Sequence, residues 1–233
     1  MSGPLELLLI PGLLCTAELF APQMAALSQR ARPRVADHTT ADSLPAIAAS
    51  ILAVAPARFA LCGLSMGGYI AFEIMRQAPE RVLKLALLDT SAKSDTSERS
   101  AIRRQLVARA EAEGLGAVSA ALFPQWVHPR RVTDQALATG VANMAANTGV
   151  THFARQMTAI AARADSRPGL AAIHVPTLVL VGRQDAATPV ADAEEIVQGI
   201  VGSTLVVIED CGHLTTLEQP DMVTTALLNW LDI

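Results

Sequence analysis

The stretch Cys62-Gly63-Leu64-Ser65-Met66-Gly67-Gly68 follows directly on the apolar run Arg58-Phe59-Ala60-Leu61. It reads as a strand, a tight turn and the start of a helix, with a serine at the tip of the turn. A turn this sharp holds its central residue in a strained backbone conformation. Side chains on the flanking positions would collide, which accounts for glycine at Gly63 and Gly67. The Ser65 hydroxyl is thereby exposed at the carboxyl end of a strand, beside a helix N-terminus that favours negative charge. Serine alone is a weak nucleophile, so the reading depends on partners elsewhere in the chain.

Two further apolar runs supply them. Val175-Pro176-Thr177-Leu178-Val179-Leu180-Val181-Gly182 leads into Arg183-Gln184-Asp185, and Ser203-Thr204-Leu205-Val206-Val207-Ile208 leads into Glu209-Asp210-Cys211-Gly212-His213. Both runs read as buried strands. Ser65, Asp185 and His213 each fall just past a strand, and in a parallel sheet such ends share one edge, where ligands collect. Asp89 also ends a predicted strand, Leu83 to Leu88, and is the competing acid. Asp210 reads as a solvated loop residue.

In these residues, with Leu8-Leu9-Ile10-Pro11-Gly12-Leu13 near the start and Leu217-Glu218-Gln219-Pro220 near the end, the chain resembles the α/β-hydrolase superfamily. It is similar to the small bacterial esterases and enol-lactonases of that group, over nearly its whole length. The chain order Ser…Asp…His fits this resemblance rather than the other serine-triad orders. The resemblance implies an α/β fold in which His213 takes the Ser65 proton and Asp185 orients the imidazole. It also implies an oxyanion hole formed by the backbone N–H groups of Leu13 and Met66. The usual His-Gly of the oxyanion loop is here Pro11-Gly12, a departure that backbone donors tolerate.

Strands alternating with helices imply a parallel sheet covered on both faces. Further elements are a helix over 18–30, a weak strand over 34–37, a helix over 43–55 capped by Asp42 or Ser43, one over 67–77, and a last helix from about 221 to 231. The family often places an antiparallel hairpin first; residues for it are missing here, so about six strands, mostly parallel, are expected. Between 91 and 167 the strand rhythm gives way to helical spacing over 97–113, 115–127, 133–145 and 150–164. The first of these is amphipathic, with Ile102, Leu106 and Ala110 on one stripe and arginines opposite, and Gly114 ends it. The expected organisation is a core of residues 1–90 and 168–233, with 91–167 as an inserted helical cap rather than an independent domain.

Leu14, Leu122, Phe123, Trp126 and Leu214 are the expected pocket residues, with Leu122 to Val127 as its roof; Phe123 and Trp126 read equally well as glue between cap and core. His128 and His152 fall in the cap, His174 precedes a strand, and His38 ends one without a partner motif. No histidine or cysteine cluster has metal-ligand spacing and no glycine-rich phosphate loop follows the first strand, so no cofactor is expected.

Of 233 residues, 51% are apolar and 17% charged, enough to bury a sheet within one domain. The net charge of −4 gives no footprint for nucleic acid, and no run of like charges suggests an anionic membrane surface. No signal peptide or membrane span is read. Three cysteines (Cys15, Cys62, Cys211) leave at least one unpaired, which suits a reducing cytoplasm. They read as small buried gap-fillers, with redox control of the site as the alternative.

The expectation is therefore a cytoplasmic serine hydrolase, monomer or homodimer, acting on a small carboxylic ester or lactone without a cofactor. Enol-lactone opening and C–C bond hydrolysis are the alternatives within the fold. A ligand-binding receptor on the same scaffold is the alternative of another class.

Overall fold

Apolar side chains alternate between the two faces of every central strand, and this alternation builds the core. The computed structural model describes residues 4–233. Its strands are β1 (Leu5–Ile10), β2 (Ala31–Val35), β3 (Phe59–Leu64), β4 (Val82–Leu88), β5 (Thr177–Gly182) and β6 (Thr204–Ile208). They form one sheet in the order β2-β1-β3-β4-β5-β6, with every pairing parallel. Leu7, Leu9, Cys62, Leu64, Leu88 and Leu180 face one side, packing with α1 (Ala21–Leu27) and the C-terminal helix Pro220–Asp232. Leu8, Ile10, Leu61, Leu85, Leu87 and Val181 face the other, under α2 (Leu44–Val54), α3 (Met66–Gln77) and the helix Val190–Gly199. This is the α/β-hydrolase fold.

The second strand differs from its expected position over 34–37. It pairs with β1 from Ala31 to Val35, so its register is set by the neighbour rather than by its own weak pattern. Arg32 and Arg34 both reach Glu6, and Pro33 is tolerated because the strand is at an edge.

From β1 the chain steps to one side for β2 and returns to the other for β3. Strand order thus reverses between β1 and β3, opening a crevice at their carboxyl ends. The elbow after β3 and the loop after β1 both lie there. At the elbow, Ser65 has φ +55°, in the left-handed region that non-glycine residues rarely occupy. A Cβ at Gly63 would be driven into the Gly67 carbonyl, and one at Gly67 into the Ile10 carbonyl. Ser65 N–H donates to Leu88 O at 2.9 Å, and Thr90 Oγ1 donates to Ser65 O at 2.8 Å, fixing the turn to the end of β4.

Four helices intervene between β4 and β5: α4 (Ser97–Glu113), α5 (Leu115–Trp126), α6 (Gln135–Thr148) and α7 (Val150–Ala161). A buried ion cluster ties their two ends together. Asp95, before α4, accepts from Arg103 Nε at 2.9 Å and from Arg163 Nη1, after α7, at 2.8 Å. Arg163 also lies over the Tyr69 ring at 4.5 Å, linking the cluster to α3. Burial works against the Asp95 carboxylate, but the two guanidiniums hold it below the usual range. The expected stripe on α4 is corrected here: Ala110 is buried, but Ile102 is 54% exposed and Arg103 turns inward because Asp95 waits for it.

After β5 come α8 (Val190–Gly199), β6, α9 (Thr215–Glu218) and α10 (Pro220–Asp232). Among the described residues no helix is long and apolar enough to cross a membrane. Overpacking a tight site costs about 1–3 kcal/mol, occasionally more. Gly67→Ala is expected to lower stability by at least that much in urea unfolding. An unchanged midpoint would mean that the elbow has slack the geometry does not allow it.

Candidate active site

Three strand ends bring Ser65, His213 and Asp185 together at the crevice. Ser65 is the partly exposed residue of an otherwise buried elbow. Its Oγ lies 2.9 Å from His213 Nε2, and His213 Nδ1 lies 2.7 Å from Asp185 Oδ2. An ionised carboxylate only accepts, so the His213 proton sits on Nδ1 and Nε2 presents its lone pair to the serine hydroxyl. The Asp185 carboxylate is otherwise saturated. Oδ1 accepts from Ala187 N–H at 2.8 Å and Thr188 N–H at 2.9 Å, and Oδ2 accepts from Thr188 Oγ1 at 2.7 Å.

These contacts decide the charges. Burial raises the Asp185 pKa, but the His213 charge and the hydrogen bonds from His213 and Thr188 outweigh it, leaving the carboxyl below its usual range. Burial lowers the His213 pKa, but Asp185 dominates, with Asp89 and Glu218 adding, so the imidazole sits above its ordinary value. Asp89, the competing acid, lies at the end of β4, fully buried. Its Oδ1 accepts from Gly182 N–H at 3.0 Å, and Oδ2 pairs with Thr215 Oγ1 rather than with the His213 ring. Burial first and the Asp185 charge second push its carboxyl well above the usual range.

The loop after β1 forms the facing wall. Gly12 runs against Ser65, close enough that a Cβ there would lie 3.3 Å from Ser65 Cβ. Among the described residues the N–H groups of Leu13 and Met66 find no protein acceptor. Both are therefore free to serve a ligand oxygen.

A cavity of about 250 Å³ opens over Ser65 and His213, at the small end for ligand sites. Leu13, Leu122, Trp126 and Leu214 line it. Leu14 and Phe123 do not, and this corrects the expected pocket. Leu14 adopts φ +59°, which turns its side chain into the core. Phe123 is one residue out of step with the α5 face formed by Leu122, Gln125 and Trp126, and packs in the core instead. Cys15 lines the cavity as a free thiol, its pKa pushed up by burial to about 12. Arg99 and Arg103 line it as well, with no Asp or Glu among the lining residues. Arg103 is held by Asp95, whereas Arg99 makes no ion pair among the described residues.

Two connections join the intervening helices to the histidine loop. Trp126 O accepts from His213 N–H at 2.8 Å. Glu218, from the Leu217-Glu218-Gln219-Pro220 motif, accepts from Gly212 N–H at 3.0 Å and from His128 N–H at 2.7 Å. That motif was visible in the sequence, but its role as a staple was not. His128 and His152 lie outside the cavity lining, as does the exposed His174. Asp210 is largely exposed. No group of three or more His, Cys, Asp or Glu is arranged to hold a metal ion among the described residues.

Residues 26–220 match the family described as the α/β hydrolase fold. The chain belongs to the α/β-hydrolase family. It is 32% identical over 167 residues to 3-oxoadipate enol-lactonase 2 of Acinetobacter baylyi, an alignment spanning 71% of this chain and 61% of that relative. A thermophilic esterase from Thermogutta terrifontis, solved with malate bound, superposes with a TM-score of 0.88 at 30% identity, covering 99% of this chain and 91% of the esterase. The enol-lactonase of Burkholderia xenovorans LB400 superposes with a TM-score of 0.87 at 25% identity, over 100% and 93% of the two chains.

In this member of the family the pairing of His213 with Asp185 is open to direct measurement. By NMR, the His213 ring proton is expected to titrate above the ordinary midpoint of about 6.5. Asp185→Asn should bring the midpoint down, because burial then acts unopposed by that charge. A midpoint unmoved by the substitution would contradict the pairing.

Proposed function

We propose that the protein is a serine hydrolase that cleaves a small carboxylic ester through an acyl-enzyme on Ser65. The observation that carries this is the unbroken hydrogen-bonded chain from Ser65 through His213 to Asp185, opening on a cavity of mixed apolar and polar lining. In the proposed mechanism, His213 Nε2 takes the Ser65 proton as Oγ attacks the ester carbonyl carbon. The carbonyl oxygen becomes an oxyanion held by the N–H groups of Leu13 and Met66. The C–O bond then breaks, and the leaving alkoxide takes the proton from His213. Water repeats the sequence: His213 takes one of its protons, the hydroxide oxygen bonds to the acyl carbon, and the carboxylic acid leaves as Ser65 regains its proton. Asp185 stays ionised throughout and stabilises the imidazolium. Helices α4 to α7 act as a cap over this edge, within the single domain.

The test is hydrolysis of short and medium p-nitrophenyl acyl esters by wild type and Ser65→Ala under identical conditions. Removal of the nucleophile is expected to cost at least about 10³-fold in kcat. Absence of turnover by folded wild type would move weight to a binding protein on this scaffold or to C–C bond hydrolysis.

A second reading is favoured by Arg99 and Arg103: the substrate is a lactone or ester that also carries a carboxylate. Two guanidiniums without an acidic residue in the lining suit an anion, and the enol-lactonase relatives support a lactone. The same acyl chemistry applies, with the enol oxygen as a leaving group that stays on the product. Arg99→Gln should then lower kcat/KM for monoesters of short dicarboxylic acids about tenfold while sparing neutral esters of equal length. An equal effect on both would remove this reading.

A further inference from the structure

Gln156 lies on α7, remote in sequence from the nucleophile, yet it is completely buried. A buried amide that water cannot reach must find its partners within the protein. Its Oε1 accepts from Leu14 N–H at 3.2 Å, on the loop that faces Ser65. Its Nε2 lies 3.0 Å from His38 Nε2. His38 is itself buried, and its Nε2 lies 3.1 Å from Gly12 O. Burial disfavours the imidazolium and lowers the His38 pKa, so the ring is neutral and Nε2 carries either a proton or a lone pair. With Oε1 committed to Leu14, the amide N–H₂ faces His38, whose Nε2 lies between that amide and Gly12 O. Gly12 O also accepts from Cys15 N–H at 3.2 Å.

The loop needs such a restraint. Leu14 sits at φ +59°, a conformation that persists in a leucine only where the surroundings enforce it. Its N–H bond to Gln156 is that enforcement. Leu13, whose N–H faces the site, lies between two residues tied into this network.

We infer that Gln156 is a positioning residue: with His38 behind it, it fixes the Gly12–Leu14 loop and so aims the Leu13 N–H at the oxyanion. This rests on the reading of Ser65 as an acylated nucleophile. It makes α7 a structural part of the oxyanion hole and not only a cover.

The experiment compares wild type, Gln156→Met, Gln156→Glu and Ser65→Ala in p-nitrophenyl ester hydrolysis. Alongside it runs the affinity of a trifluoromethyl ketone, whose serine adduct places an oxyanion in the hole. Outright loss of a hole donor costs about 10²–10³-fold, so misaiming one is expected to lower kcat about 10- to 100-fold in Gln156→Met. KM should stay within about threefold, and ketone affinity should fall in step with kcat/KM. Gln156→Glu keeps an acceptor for Leu14 N–H and, with one proton shared between its carboxyl and His38 Nε2, should recover most of the loss. Should Gln156→Met not fold, Gln156→Asn withdraws the same amide by one methylene and carries the same expectation. A folded Met or Asn variant with wild-type kcat, or with weakened KM and unchanged ketone affinity, overturns the inference. Turnover that survives Ser65→Ala, or is absent from wild type, instead removes the hydrolase reading beneath it.

Discussion

The structure depends on one close backbone approach, that of Gly67 to the Ile10 carbonyl. Helix α3 can start immediately after β3 only because two backbones touch there without a side chain between them. That contact brings the ends of β1 and β3 together at the point where strand order reverses. It also forces Ser65 into a left-handed conformation that the hydrogen bonds from Ser65 to Leu88 and from Thr90 to Ser65 then secure. The strain is local, and rigid strands on both sides hold it.

Electrostatics at this edge follow from the same convergence. Parallel strands deliver Asp89 and Asp185 to neighbouring positions, where each buried charge disfavours the other. Their surroundings resolve the conflict. Asp185 meets a histidine, two backbone N–H groups and a hydroxyl, whereas Asp89 meets one backbone N–H and one hydroxyl. One carboxyl is held below the usual range and its neighbour above it, a separation that environments commonly impose on paired acids.

Much of this was legible in the sequence, for identifiable reasons. The sheet could be read because buried parallel strands are continuous apolar runs, and the positions of Ser65, Asp185 and His213 because each directly follows one. Asp89 and Asp185 both end strands, so sequence alone could rank them only by motif; the choice visible in the structure lies in which one faces the His213 ring. Side-chain direction within helices was harder. Leu122 and Phe123 are adjacent and both apolar, and only the packing of α5 decides which meets the cavity. Arg103 turns inward toward a buried Asp95 that no helical pattern announces. The roles of Gln156, His38 and Glu218 were not legible because their partners, among them Leu14, Gly12 and His128 backbone groups, belong to other segments, and such bonds leave no periodicity. Leu14 escaped for a related reason, since a positive φ at leucine is not encoded by its own residue type.

Cys15 gives the site a chemical asymmetry. The cavity lining holds both a serine oxygen and a cysteine sulfur, Ser65 and Cys15. In free solution the sulfur would be the better nucleophile at neutral pH. Here burial keeps the thiol protonated while the serine hydroxyl is paired with a base, so the ordinary order of reactivity is inverted. The cavity thus discriminates between its own side chains by proton affinity rather than by distance. Thiol-directed electrophiles small enough to enter it would find their natural target silenced and the oxygen beside it awake.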